Sequence, residues 1–254
     1  MNRKFIEAFN LVEVLVVIAI IAIVAALLFP VLGNAMAKAR RTACLNNLRQ
    51  LSVAVRIYAD ESNDSSPSLH RPGTSITNLG TLYSGYKKLI KDYVGLKGAS
   101  SPHDRSFSCP ADVMNPSWLV NRDQSRPFHF VKKSVHDLPE WDYSSYVFNG
   151  GDNFTRQITN WSFNTPGLTG IKLSAVSHPD RTVLLMEFAA LIPYSWHNPS
   201  SHGASTADGT AYNDSKNVVS FVDGHVSYIS IYFNGGWAVT YNPPDGYEYQ
   251  WSAD

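Results

Sequence analysis

The chain carries little charge and no excess of either sign. Lys plus Arg and Asp plus Glu number 21 each in 254 residues, and charged side chains are only 17% of the total. Nothing in that balance steers the molecule to nucleic acid or to an anionic surface, so no nucleic-acid partner is predicted. Cysteine is scarce too. Cys44 and Cys109 are too few for a disulfide scaffold and enough for one staple. Catalytic signatures are missing: there is no G-x-S-x-G, no H-E-x-x-H and no phosphate-cradling glycine loop. The sequence does not read as an enzyme. What it does contain is 12% aromatic residues, well outside a disordered composition. Once the apolar N-terminus is set aside, roughly 200 residues remain, ample for one core and too few to require two. Trp, Tyr, Asn, Ser, Gly and Pro dominate the second half, the composition of a loop-rich β structure.

Charge is absent altogether from Val14 to Leu32, nineteen residues rich in Val, Ile, Ala and Leu. At about 1.5 Å per residue this helix spans a hydrocarbon core of about 30 Å. Three readings compete. In a secretory signal peptide, Arg3 and Lys4 form the n-region and Ala35-Met36-Ala37 the cleavage site, but the run exceeds the usual h-region of about 7–15 residues and Glu13 interrupts its start. A plain anchor leaves Glu13 unexplained, because a carboxylate entering a bilayer costs about 2.5–3.5 kcal/mol on insertion scales. The third reading rests on Ala8-Phe9-Asn10-Leu11-Val12-Glu13 followed by the aliphatic run. This segment resembles the cleavage and methylation signal of type IV pilins and type II secretion pseudopilins.

That resemblance implies a cut by prepilin peptidase between Ala8 and Phe9, methylation of the new Phe9 amine, and Glu13 as the fifth mature residue, where the family keeps its glutamate. Pro30 falls where many members carry a helix-loosening proline. The family usually has Gly before the cut, and Ala8 is a small replacement. Physically, the ammonium of Phe9 and the carboxylate of Glu13 attract strongly in low dielectric, although burying both costs several kcal/mol. Within one helix the two stand four residues apart. In a filament, Glu13 meets the Phe9 amine of a neighbour and fixes the stagger between subunits, since a buried polar pair is best attested as a register device. The plain alternative is Glu13 snorkelling to the headgroups. Pro30 removes a backbone hydrogen bond, and with Gly33 it predicts a kink or a stretch that melts when helices pack; a tolerated membrane-helix proline is the ordinary alternative. Basic residues flank the span on both sides (Arg3 and Lys4; Lys38, Arg40 and Arg41), so the positive-inside count sets no orientation.

Beyond Gly33, Cys44, Leu48, Leu51, Val55 and Tyr58 recur at helical spacing, and no Gly or Pro intervenes before Pro67. The helix is predicted to run to about Asp60, a rod of roughly 78 Å. Its second half is amphipathic and needs a partner surface in the same chain. The expected plan is α+β and pilin-like, a lollipop. Residues 1–8 are leader, 9–33 the transmembrane and filament-core helix, 34–61 the amphipathic helix and 62–254 a β-rich head. In the head, 81–94 reads as a short helix. Residues 143–149, 182–188, 218–222 and 226–233 read as strands, with Asp223-Gly224 as a type I′ hairpin signal. The hairpin, the segment from Arg181 to Glu187 and Phe107-Ser108-Cys109-Pro110-Ala111-Asp112 are similar to segments of a pilin-like family with a Planctomycetes-type His and Asp-Gly C-terminal signature.

Cys44 lies on the buried stripe and Cys109 beside Pro110 in a loop. The two pair in an oxidising periplasm or stand as separate buried thiols. His197, His202, Asp208, Asp214, Asp223 and His225 crowd into one stretch. His with carboxylate is a transition-metal set, whereas Asp208, Asp214 and Asp223 offer oxygens to Ca2+, as some pseudopilins do. No cofactor is otherwise expected. The functional expectation is a structural subunit, held in the inner membrane as a single-pass precursor and assembled by pilus or type II secretion machinery into a homo-oligomeric surface or periplasmic filament. The alternative is an anchored or secreted periplasmic binding or enzymatic domain that does not polymerise.

Overall fold

A computed structural model describes residues 10–68, 83–117, 130–150, 167–191, 194–197, 214–232 and 242–254. The chain divides into two compact units, Met1–Ala39 and Arg40–Asp254. The architecture is α+β: a long N-terminal helix, α1 (Leu11–Glu61), followed by an antiparallel sheet of four strands. Helix α1 continues through Pro30 and Gly33 in the single chain. A proline at this depth removes one N–H bond and leaves the rest of the ladder intact.

In the first unit almost every side chain of the helix faces outward. Leu11 is 82% exposed, Leu27 69% and Phe29 73%. The helix is long and apolar enough to cross a membrane, and none of its most apolar window is buried within the chain.

In the second unit the helical stripe is used as its spacing requires. Cys44, Leu48, Leu51 and Val55 are fully buried and Ala59 nearly so, while Tyr58 is half-buried at the edge. Residues off the stripe reach sideways. Asn47 donates to the Ser108 carbonyl at 2.8 Å, and Arg56 donates to the Val222 carbonyl. Within the stretch expected as a short helix, Tyr83 and Ser84 are helical, a turn follows, and α2 (Lys87–Ile90) tightens into a 3-10 turn over Lys91–Val94 that Gly95 ends. Strands β1 (Asn115–Pro116) and β2 (Phe130–Val131) form a small antiparallel pair. The main sheet runs β3-β4-β5-β6, with β3 at Tyr146–Phe148, β4 at Val183–Glu187, β5 at Ser215–Phe221 and β6 at Val226–Ile231.

Strand β4 is buried at every position, which explains its unbroken Val-Leu-Leu-Met run. Its ladder with β5 shifts between Val183 and Leu185. There the Ser220 hydroxyl accepts from the Leu185 N–H at 3.1 Å and donates to the Leu185 carbonyl at 3.2 Å, so both Leu185 backbone groups are satisfied at the irregularity. The C-terminal segment returns to the start of this strand. Val183 N–H donates to the Gln250 carbonyl at 3.0 Å, Asn149 donates to the Trp251 carbonyl at 2.8 Å, and the Trp251 ring is fully buried. Tyr249 is buried beside it, and Trp237 and Tyr241 lie outside the described residues.

The β5–β6 turn corrects one expectation. A type I′ turn needs two central residues at positive φ, and here only Gly224 has one, at 96°. Phe221 N–H donates to the His225 carbonyl and Gly224 N–H to the Phe221 carbonyl, at 3.0 and 2.9 Å. This is a three-residue loop closed by a glycine in the left-handed region. The Asp223 carboxylate is recruited to it, accepting from the His225 N–H at 3.0 Å.

Candidate functional site

Two places in the described structure carry chemistry. The first is the entrance of α1. Asn10 caps the helix: its side-chain oxygen accepts from the Val12 N–H at 3.2 Å, and its own N–H donates to Glu13 Oε2 at 3.0 Å. The Asn10 carbonyl accepts from the N–H groups of Glu13 and Val14. This is a variant of the capping box, with the Asn10 side chain on the second N–H of the helix and Glu13 reaching back to the Asn10 N–H, and it satisfies donors that the helix start leaves orphaned. The Asn-x-x-Glu spacing is its sequence signal. Ala8 and Phe9 lie outside the described residues, and of Pro30 only the helical backbone is described.

The second place is the join between α1 and the head. Cys44 and Cys109 form a disulfide, with an S–S distance of 2.09 Å, a Cα–Cα distance of 5.2 Å and a sequence separation of 65. Of the two arrangements the sequence left open, the bridge is the one present. Cys109 is held by its own motif. Phe107 is buried, and its carbonyl accepts from the Ser145 N–H at 2.8 Å. The buried Asp112 carboxylate accepts from Asn115, Ser134 and Ser145 side chains and from the Val135 and His136 N–H groups, at 2.7–3.1 Å. Burial pushes the Asp112 carboxyl upward from its ordinary range, against the pull of these donors. The Cys-Pro-Ala-Asp segment is therefore a pinned loop that presents one sulfur to the helix.

Two further side chains meet that sulfur. Glu187, fully buried at the end of β4, places Oε1 3.3 Å from Cys109 Sγ. His197 Nε2 lies 2.7 Å from the same oxygen and 3.8 Å from Cys109 Sγ. The other carboxylate oxygen, Oε2, accepts from the Val218 N–H of β5 at 2.9 Å. Tyr228 of β6 stands edge-on to the His197 ring, 5.9 Å between centroids, and carries the Arg41 guanidinium over its face at 4.8 Å. Tyr146 of β3 is pushed well above its usual range by burial and then by the Glu187 charge, so its hydroxyl keeps its proton. Among the described residues, Cys44, Cys109, Glu187 and His197 are the one group whose possible ligand atoms converge, all within 4.8 Å of one another.

Of the calcium set expected from sequence, Asp214 and Asp223 are described, and they lie at opposite ends of β5. Asp214 precedes β5, with its N–H on the Ile231 carbonyl, and Asp223 follows β5 in the hairpin loop. Seven strand residues separate them, about 23 Å at 3.3 Å each. Asp214 accepts from the Tyr247 hydroxyl at 2.7 Å, and Asp223 faces His225 Nδ1 at 2.7 Å. Asp208 and His202 lie outside the described residues. Of the two crowded histidines that are described, His197 reaches a buried cluster. Its partner Glu187 escaped the sequence reading because an acid closing a buried strand resembles any strand end. No protein-family profile, curated protein or solved structure matches this chain.

Proposed function

We propose that this chain is a type IV pilin-like subunit of a helical filament, processed by prepilin peptidase between Ala8 and Phe9 and assembled through its N-terminal helix. The observation that carries the reading is the first unit's surface: a helix apolar on every side, exposed at almost every described position, with one carboxylate at its entrance. Such a surface needs lipid or other apolar helices around it. In the inner membrane the surrounding material is lipid. In the filament it is the helices of neighbouring copies, with Glu13 exchanging its contact with Asn10 for the methylated Phe9 amine of the next subunit. The subunit is structural rather than enzymatic, and its partners are further copies, the peptidase and the pilus or secretion assembly machinery.

A second reading has one observation in its favour. Glu13 already finds an acceptor role within its own chain, at the Asn10 N–H, and therefore does not require a neighbour. On that reading the helix is an anchor and the head a periplasmic domain that stays monomeric. N-terminal mass spectrometry separates the two. A methylated Phe9 terminus supports the filament subunit, and a start at Met1 or Lys38 overturns it.

A further inference from the structure

The contact between Glu187 and Cys109 is poorly matched to a disulfide. In the oxidised pair neither sulfur carries a hydrogen, so at 3.3 Å a carboxylate oxygen faces sulfur lone pairs with nothing between them. The imidazole nitrogen is turned to the same point. The four atoms suit a different occupant. Tetrahedral Zn2+, with bonds of about 2.0–2.3 Å to nitrogen, oxygen and thiolate sulfur, sets its ligands about 3.3–3.8 Å apart. The separations of Cys109 Sγ from Glu187 Oε1 and from His197 Nε2, 3.3 and 3.8 Å, already have those values. Cys44 Sγ lies within 4.8 Å of the same nitrogen and oxygen, and two edges are short, the disulfide bond itself and the carboxylate–imidazole contact at 2.7 Å. Both lengthen when the sulfurs separate and a cation enters between the groups.

We propose that the reduced form of this site binds one Zn2+ through Cys44, Cys109, Glu187 and His197, and that disulfide formation expels it. Two thiolates with an imidazole and a carboxylate are a donor set for a borderline-soft divalent ion, not for Ca2+. The surrounding shell is in place. Val218 N–H holds Glu187 Oε2 and leaves Oε1 to the metal, and the edge-on Tyr228 fixes the imidazole plane. The chemistry balances in two steps. A dithiol reductant gives two electrons and two protons to the Cys44–Cys109 bond, which breaks into two thiols as the reductant closes its own disulfide. Zn2+ then replaces the two thiol protons, which leave to water, with no change in oxidation state. Expulsion is the reverse exchange, in which a disulfide oxidant accepts two electrons from the two thiolates and two protons from water to become a dithiol, the Cys44–Cys109 bond forms and Zn2+ leaves to solvent. Zn2+ and the disulfide are thus alternative clasps between α1 and the head, selected by redox conditions.

The test uses the full chain produced in a reducing cytosol, purified in detergent without oxygen, with two free thiols confirmed by alkylation mass. Co2+ is the probe, because thiolate-to-cobalt charge transfer and intense visible bands report tetrahedral sulfur ligation. One Co2+ per chain is expected, displaced by equimolar Zn2+, with no such bands in the oxidised chain. His197→Ala and Glu187→Gln should each weaken Zn2+ binding at least tenfold. Their oxidised forms, which need only the disulfide, serve as the check on folding. Mild oxidation of the loaded chain should release its Zn2+ to a chromophoric chelator in step with thiol loss. Absence of charge transfer in the reduced chain overturns the proposal. So does binding that is unchanged in both variants, which would mean that two thiols alone capture the ion.

Discussion

Removing the clasp between α1 and the head gives the most direct test of how the second unit is held together. The perturbation is Cys44→Ala with Cys109→Ala. The bridge closes a loop of 65 residues, and in the chain-entropy account opening such a loop in the unfolded chain costs the folded state about 4 kcal/mol. Both sulfurs are buried, so the lost atoms add a small cavity term of the same sign. Against a total of about 5–15 kcal/mol for a typical domain, the loss is large and still leaves a folded fraction to measure. The assay is urea denaturation of the full chain in detergent, followed by tryptophan fluorescence, since Trp251 is buried where the C-terminal segment meets β4. With a slope of about 2 kcal/mol per molar urea, the midpoint should fall by about 2 M. Wild-type chain reduced under metal-free conditions should fall by a similar amount. A loss below about 1 kcal/mol in the double variant would refute the reasoning, because Leu48, Leu51 and Val55 would then suffice to dock the helix.

Three further outcomes are expected. Glu13→Ala removes one arm of the Asn10 capping box and should lower the stability of the helix start by about 1 kcal/mol. It should leave the chain membrane-bound while abolishing or misregistering filaments, which electron microscopy of sheared material would check. Lys87→Met should destabilise by about 3 kcal/mol in denaturation experiments. It leaves the buried Asp104 carboxylate without its 3.0 Å partner and the Asp142 and Tyr143 carbonyls without their 2.8 Å donor. The gap between Lys87→Met and wild type should also depend on pH. Burial alone would raise the Asp104 carboxyl, but the Lys87 and Ser101 hydrogen bonds and the Lys87 and Lys91 charges outweigh it and hold it below its ordinary value. Its contribution is therefore full above about pH 4 and lost as pH falls through the depressed value. The gap between the two stability curves should narrow in that acid range to the part that the carbonyl bonds contribute, and a gap that stays constant to pH 2 would count against the ion pair.

The parts of this protein that sequence alone determined are those written in a local period. The uncharged run from Val14 to Leu32 and the stripe Cys44, Leu48, Leu51 and Val55 specify one continuous helix, because hydrogen bonds four residues apart and one apolar face suffice to define it. The four sheet strands were legible for the same reason: β-branched and aromatic runs between turn residues fit a buried pleated surface. The Asn10 cap was legible as well, although an acid in an apolar run drew the attention first. Tertiary structure alone decided what converges. Glu187 and His197 come from different segments, and only the antiparallel return of β4 and β5 brings them to the sulfur that α1 and the Cys-Pro loop share. The same ladder drives Asp214 and Asp223 apart, since residues close in sequence on one extended strand are carried far from each other in space. Local periodicity fixes elements, whereas ligand sets depend on register between distant segments, which no single stretch of chain encodes.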